Sequence, residues 1–236
     1  MNHTPTSRTV VITGAAGALG RAVAQQFLDE GAQLALVDQD EGRLRSVFAG
    51  RADMSPHQLV AADVTSEAGM AAAAVRIEQA LGRVDVLVHV AGGFEMGEPV
   101  HALSRAAWDR MMNLNAWSFV AVTRAFVPQM LGDGAGKVVA VSAGSAVRGA
   151  AQMAAYVASK SALQRLVEAL SQEVRTKGIN VNSIAPTIMD TPANRESMPN
   201  ADHSAWVSTA VAAKTIGFLA SDAALSIHGQ HVVVGA

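Results

Sequence analysis

The chain has 236 residues, 50% hydrophobic, 16% charged and 4% aromatic, enough apolar material for one sizeable core and too little charge for a disordered chain. Eighteen basic and 20 acidic residues give a formal charge of −2, with no Lys/Arg cluster that would hold nucleic acid. Cysteine is absent, which excludes disulfides, thiol nucleophiles and Cys-based metal sites. The start MNHTPTSRTV lacks an apolar leader, and no run approaches the ~18 apolar residues of a membrane span. The expectation is a cytoplasmic protein with no membrane partner.

In chain order, TVVIT (9–13) is a β-branched run that ends in a glycine-rich turn. Residues 18–30 follow with Leu19, Val23, Phe27 and Leu28 near a helical period, and Gly31 as a stop. LALVD (34–38) reads as a strand, with a short charged helix from about Glu41. LVAAD (59–63) is a third strand candidate, and 66–81 an Ala-rich helix. VDVLVHVAG (84–92) and KVVAVSAG (137–144) are nearly continuous apolar runs, as buried parallel strands require. A long helix pattern over 154–177 leads into INVNSIAP (179–186); 206–221 is helical and HVVVG (231–235) a last strand.

Strands alternating with helices mean βαβ units with right-handed crossovers. The fold class expected is α/β: a single doubly wound Rossmann-type domain over 1–236, with a parallel sheet of about seven strands and helices on both faces. Residues 187–205, rich in polar turn formers, read as a long loop and a candidate lid.

TVVITGAAGALGRAV sets Gly14, Gly17 and Gly20 between the first strand and the first helix. Gly14 allows a sharp turn, Gly17 a close backbone approach to a pyrophosphate, and Gly20 close packing of helix on strand. The N–H groups that open the helix, at Ala18 and Leu19, face the phosphates. Asp38 stands 18 residues beyond Gly20, at the end of the second strand. A carboxylate there accepts from ribose hydroxyls and repels a 2′-phosphate, which favours NAD over NADP. Arg43 and Arg45 are close enough along the chain to keep NADP open.

Tyr156 is the only tyrosine, and it lies four residues before Lys160 on a helical pattern, so both side chains share a face. The ammonium is expected to lower the phenol pKa and make Tyr156 a general acid/base for hydride transfer.

These motifs together resemble the short-chain dehydrogenase/reductase family over nearly the whole chain. WDRMMNLNAWSFV resembles the family segment with a catalytic Asn, which falls on Asn115 and implies a water-linked proton relay with Lys160. The resemblance also implies that Lys160 binds the nicotinamide ribose, with Tyr156 beside it. AADV implies that Asp63 and Val64 contact the adenine. IAPTIMDT resembles the turn beside the nicotinamide and implies roles for Pro186, the Ile188 backbone and Thr191, with Thr187 in place of the usual Gly. The segment after the fourth strand reads His89, Val90, Ala91, Gly92; Ala91 and Gly92 still allow close approach to the cofactor.

The main departure is Ala143, which stands where the family carries its catalytic serine, thirteen residues before Tyr156. Ser142 and Ser145 flank it as candidate replacements, although Ser142, one step along a strand, should face the other side. An acceptor of C=N type, with no alkoxide to stabilise, would need no such donor. The dihydropteridine reductase-like branch resembles this chain in that Ala and in DTPANRESMPNADHSAW (190–206). Three functions follow as expectations: an NAD-dependent reductase of a small carbonyl or imine; a quinonoid dihydropteridine reductase-like activity; and a catalytically weak NAD-binding sensor.

His89 reads as a core histidine, with a cofactor-lining role as the alternative. Trp108, Trp117, Met111 and Met112 read as packing residues, and Trp206 as a neighbour of substrate. The histidines show no metal-ligand spacing, so no metal is expected. The resemblance implies a homodimer or homotetramer.

Overall fold

The computed structural model describes residues 7–48 and 57–235. Residues 1–6, on which the expectation of no leader rests, lie outside them. Seven strands form one parallel sheet: β1 (Thr9–Thr13), β2 (Gln33–Asp38), β3 (Gln58–Ala61), β4 (Val86–His89), β5 (Gly136–Val141), β6 (Ile179–Pro186) and β9 (His231–Val234). Their order is β3-β2-β1-β4-β5-β6-β9. Order reverses between β1 and β4, where the chain leaves toward opposite edges and a crevice opens beyond the strand ends.

Alternation along each strand feeds two cores. Val10 and Ile12 of β1 pack with Leu34 and Leu36 under α1 (Ala18–Asp29) and α8 (Thr209–Leu219). Val11, Ala35 and Leu87 pack on the other face under α3 (Glu67–Leu81), α5 (Ser118–Asp133) and α6 (Ala154–Val174). β1, β2, β4 and β5 are buried almost throughout because both faces are covered, and this is why they read as nearly continuous apolar runs. β6 also buries Asn180, Asn182 and Ser183, and the edge strands β3 and β9 are partly exposed. The predicted helix over 154–177 ends at Val174, with a short 3₁₀ turn to Lys177. The predicted strand over 84–92 is paired only at Val86–His89. Among the described residues no helix is long and apolar enough to cross a membrane.

Two regions differ from expectation. Residues 187–205 are structured: β7 (Met189–Asp190) pairs with β8 (Val207–Ser208), and α7 (Pro192–Ser197) lies between them. Arg195 grips Asp190 at 2.5 Å, and His203 stacks on Trp206 at 4.3 Å. Trp206, expected beside substrate, is buried in this packing. Between α4 (Arg105–Met112) and α5 the chain forms a π-helix at Asn113–Trp117. Trp108 and Trp117, expected as packing residues, are 36% and 43% exposed there.

Candidate active site

The glycine turn sits at the end of β1. Gly14 has φ +65°, where a side chain is strained, and a Cβ there would lie 2.8 Å from the Ala91 nitrogen. A Cβ at Gly20 would lie 2.7 Å from Ala15 Cα and nearer still to the Gly14 carbonyl. α3, α4, α7 and α8 close their N-termini with a Ser or Thr side chain. α1 does not: Gly17 is its N-cap, and no acid lies in its first turn. Its open N–H groups at Ala18 and Leu19 and its positive dipole end suit a pyrophosphate.

Asp38 is buried and shapes the turn as well. Its Oδ2 accepts from the Ala16 N–H at 3.1 Å, and its Oδ1 from the Gln39 N–H at 2.9 Å. Each oxygen keeps a lone pair for a ribose hydroxyl. Arg43 donates to the Ala16 carbonyl at 3.4 Å, whereas Arg45 pairs with Glu41. Asp63 is exposed and accepts from the Thr65 N–H and hydroxyl at 2.9 and 2.7 Å; Val64 packs into the core. The uncapped helix end and the buried Asp38 carboxylate together fit a dinucleotide cofactor.

The catalytic candidates gather at the ends of β4 and β5. Asn115 is fully buried in the π-helix. Its Oδ1 accepts from the Gly93 N–H at 2.9 Å, and its Nδ2 donates to the Gly93 carbonyl and the Ser159 hydroxyl, both at 3.0 Å. Both amide hydrogens are thus held by protein, and only Oδ1 or the backbone has capacity left for a relay water. A Cβ on Gly92 would meet Asn115 Oδ1 at 2.9 Å and Lys160 Nζ at 3.0 Å. This glycine brings the cofactor-side strand end against both residues.

Lys160 is buried and donates from Nζ to the Val141 carbonyl at 2.8 Å. Burial pushes its pKa down to about 8. Tyr156, one turn earlier, is raised above the ordinary phenol value by burial. This reverses the expectation that Lys160 lowers it: in the described chain the ammonium is aimed at Val141, and desolvation dominates. Phe94 stands edge-on to the Tyr156 ring, 4.8 Å between centroids, and is 58% exposed.

At the serine position, Ala143 is buried. The Ser142 hydroxyl, named as a catalytic candidate, is buried and donates to the Lys160 carbonyl at 3.4 Å, as strand alternation implies for a side chain facing away from the cleft. Ser145 lies half-buried in the 3₁₀ turn Gly144–Val147, and its hydroxyl has no partner among the described residues. Pro186 closes β6. The Ile188 carbonyl accepts from the Val207 N–H at 2.9 Å, and Thr191 caps α7 through the Asn194 N–H at 3.2 Å. These groups order the base of the 187–205 segment. Among the described residues no cluster of three metal-ligating side chains occurs.

Sequence reasoning did not single out Phe94, Gly93 or Ser159. The Gly92-Gly93-Phe94 run just past a buried strand was the available signal for the first two. Ser159 became visible only as the partner of Asn115, 44 residues away.

Comparison with known proteins identifies the family of the fold. Residues 8–202 match the short chain dehydrogenase family. A D-threitol dehydrogenase of Mycolicibacterium smegmatis is 30% identical over 96% of this chain and 91% of its own length. An NAD-dependent glycerol dehydrogenase of Listeria innocua is 28% identical over 97% of this chain and 92% of its own length. The crystal structure of a 3-ketoacyl-(acyl-carrier-protein) reductase from Brucella melitensis, complexed with NADH, superposes with a TM-score of 0.86 at 26% identity, covering 96% of each chain.

Proposed function

This chain belongs to the short chain dehydrogenase family of oxidoreductases, and we propose that it is an NAD(H)-dependent enzyme acting on a small carbonyl or its alcohol, with Tyr156 as general acid/base. The observation that carries the proposal is the convergence of Lys160 and Asn115 on Gly92 and Gly93, with Tyr156 one turn before Lys160 and edge-on to Phe94, beside an uncapped α1 N-terminus and Asp38. Bound nicotinamide would supply or accept the hydride. The chain's own residues do the rest. Tyr156 delivers the proton to the substrate heteroatom from the cleft, and burial keeps its phenol protonated until that transfer. Lys160, its charge already weakened by burial, is poised to move a proton near neutral pH. Asn115 holds Gly93 and α6 in register. Asp38 disfavours a 2′-phosphate and supports NAD over NADP. The NAD dependence named for the glycerol dehydrogenase and the NADH in the Brucella melitensis structure support the same preference.

A second reading has its own observation. Ala143 offers no hydroxyl, and Ser142 is directed at Lys160. An acceptor that develops no alkoxide, such as the C=N system of a quinonoid dihydropterin, would need neither, and the exposed Phe94 offers a ring for a flat acceptor.

The test is NADH oxidation with a panel of ketones, aldehydes, polyol-derived carbonyls and quinonoid dihydropterin, each repeated with NADPH. Tyr156→Phe should lose about a hundredfold or more in turnover while NADH affinity stays within about twofold. Turnover on the pterin alone selects the second reading. Tight NADH binding without turnover on any acceptor would overturn both readings and leave an NAD-binding sensor. Exposed Trp108 and Trp117 support assembly as a homodimer or homotetramer, which light scattering would read.

A further inference from the structure

Thr13 and His89 face each other in register at the carboxyl ends of β1 and β4, at the point where strand order reverses. Thr13 immediately precedes Gly14 of the dinucleotide turn. His89 is fully buried, and both ring nitrogens have partners: Nδ1 lies 2.9 Å from the Thr13 hydroxyl and Nε2 lies 3.0 Å from the Ser118 hydroxyl. Ser118 follows directly on the π-helix that carries Asn115.

The direction of every bond in this line follows from counting protons. The Ser118 N–H reaches back five residues to the Asn113 carbonyl, as the π-turn requires. The Leu114 carbonyl, four residues back, is met instead by the Ser118 hydroxyl at 2.6 Å. That donation uses the only hydroxyl proton, so Ser118 Oγ accepts from His89, and Nε2 carries the hydrogen. Burial, with Lys160 nearby, holds the imidazole neutral, its pKa near 3. Nδ1 is therefore bare and accepts from Thr13 Oγ1, which in turn accepts from the Ala91 N–H at 3.4 Å. One directed chain runs Ala91 N–H to Thr13 to His89 to Ser118 to the Leu114 carbonyl. One end borders the cofactor turn, and the other closes the defect in the helix that presents Asn115.

We propose that His89 is a positioning residue that sets the dinucleotide turn and the Asn115 π-helix in register with each other through this single chain of hydrogen bonds. The inference rests on the reading of the site as an NAD(H) oxidoreductase. It assigns His89 two separable jobs, one per nitrogen. The Nδ1 side steadies Thr13, Gly14 and Ala91, which matters for cofactor affinity. The Nε2 side steadies Ser118 and the π-turn, which matters for the chemical step.

Two substitutions divide these jobs. His89→Asn keeps an acceptor about where Nδ1 lies and removes the donor to Ser118. His89→Gln keeps a donor about where Nε2 lies and removes the acceptor from Thr13. The measurements are NADH affinity by fluorescence titration, and kcat at saturating NADH and acceptor. His89→Asn should lower kcat about tenfold with NADH affinity held within about twofold, and His89→Gln should weaken NADH binding about three- to tenfold with kcat nearly retained. Ser118→Ala should follow His89→Asn, and Thr13→Val should follow His89→Gln; these smaller changes keep the test in force if a His89 variant fails to fold. Nitrogen NMR of the wild-type imidazole should show one neutral Nε2–H tautomer between about pH 5 and pH 8.

A fall in thermal stability without this split, equal effects of both pairs on both quantities, or a protonated Nδ1 would each overturn the assignment. Wild-type protein that turns over normally while none of the four variants changes either quantity would overturn it and leave the reading of the site intact. Wild-type protein that binds no NADH would overturn that reading, and this inference with it.

Discussion

The turn at residues 14–20 and the cluster around Lys160 lie against adjacent residues, Ala91 and Gly92, yet they are built by opposite means. The turn is a backbone object. Its shape comes from glycines that leave no room for a Cβ, from a helix N-terminus without a side-chain cap, and from one carboxylate, Asp38, that holds the Ala16 N–H. The cluster is a side-chain object. Asn115, Ser159 and Lys160 are buried and satisfied by each other and by the Gly93 and Val141 backbone. The difference teaches where each region is fragile: the turn fails by steric overlap, and the cluster by leaving a buried polar group unpaired or by changing its charge.

The strongest way to break the contrast is Gly20→Ala. Its Cβ would collide with the Gly14 carbonyl and Ala15, which are backbone atoms that cannot swing aside. We expect a loss of about 3 kcal/mol or more in urea denaturation, or no folded protein. A mild effect would mean that the turn has slack and the backbone description is wrong.

The cluster should instead answer to pH. The folded pKa of Lys160 is pushed from 10.5 down to about 8. Between those values the unfolded chain holds a proton that the folded chain has released. Stability therefore rises with pH through this window, by up to about 1.4 kcal/mol per unit, and the full burial cost is present below about pH 8. Urea melts of wild type and Lys160→Met at about pH 7.5 and about pH 9.5 should show the rise in wild type alone. Parallel curves would place the ammonium in water.

Asp38→Ala sharpens the comparison on the turn side, because it removes a turn anchor and a ribose acceptor together. NADH affinity should fall about tenfold, near 1.4 kcal/mol, with NADPH affected less, as read by titration with both cofactors. An equal loss for both cofactors would make Asp38 a turn anchor alone. The smallest effect is expected of Ser142→Ala. Among the described residues its hydroxyl meets only the Lys160 carbonyl, at 3.4 Å, so kcat should change by less than about twofold. A hundredfold loss would instead return Ser142 to the catalytic group.

Much of the turn was legible in the sequence, and much of the cluster was not. β1 and β6 are readable to the residue: β1 is a β-branched run ending at a glycine turn, and β6 sets apolar residues among Asn180, Asn182 and Ser183 between Gly178 and Pro186. The glycine spacing and Asp38 lay in the right order because strand, turn, helix and next strand are adjacent in the chain. Residues 187–205 read as a loop because two-residue strands leave no period, and β7 exists only through its pairing with β8, from Met189 to Val207. The π-turn depends on backbone N–H groups redirected one residue further back, that of Ser118 among them, which no pattern of residue types reports. The direction of the Tyr156 shift is not legible for a related reason: spacing places Lys160 on the same helical face, but only the packed structure shows its Nζ aimed at Val141.

By itself the sequence determined the alternation of elements, the two-sided burial of the strands, the glycine turn and the residue types available for proton transfer. These are local properties, set by periodicity and by the space around the backbone within a few residues. Tertiary structure alone decided that Asn115 would hold Gly93 and Ser159, that the Ser142 hydroxyl would turn to Lys160, and that His89 would bridge Thr13 and Ser118. Each of these is a hydrogen bond between groups 18 to 76 residues apart in the chain. Such bonds form because a buried donor or acceptor must find a partner among whatever the fold has brought beside it.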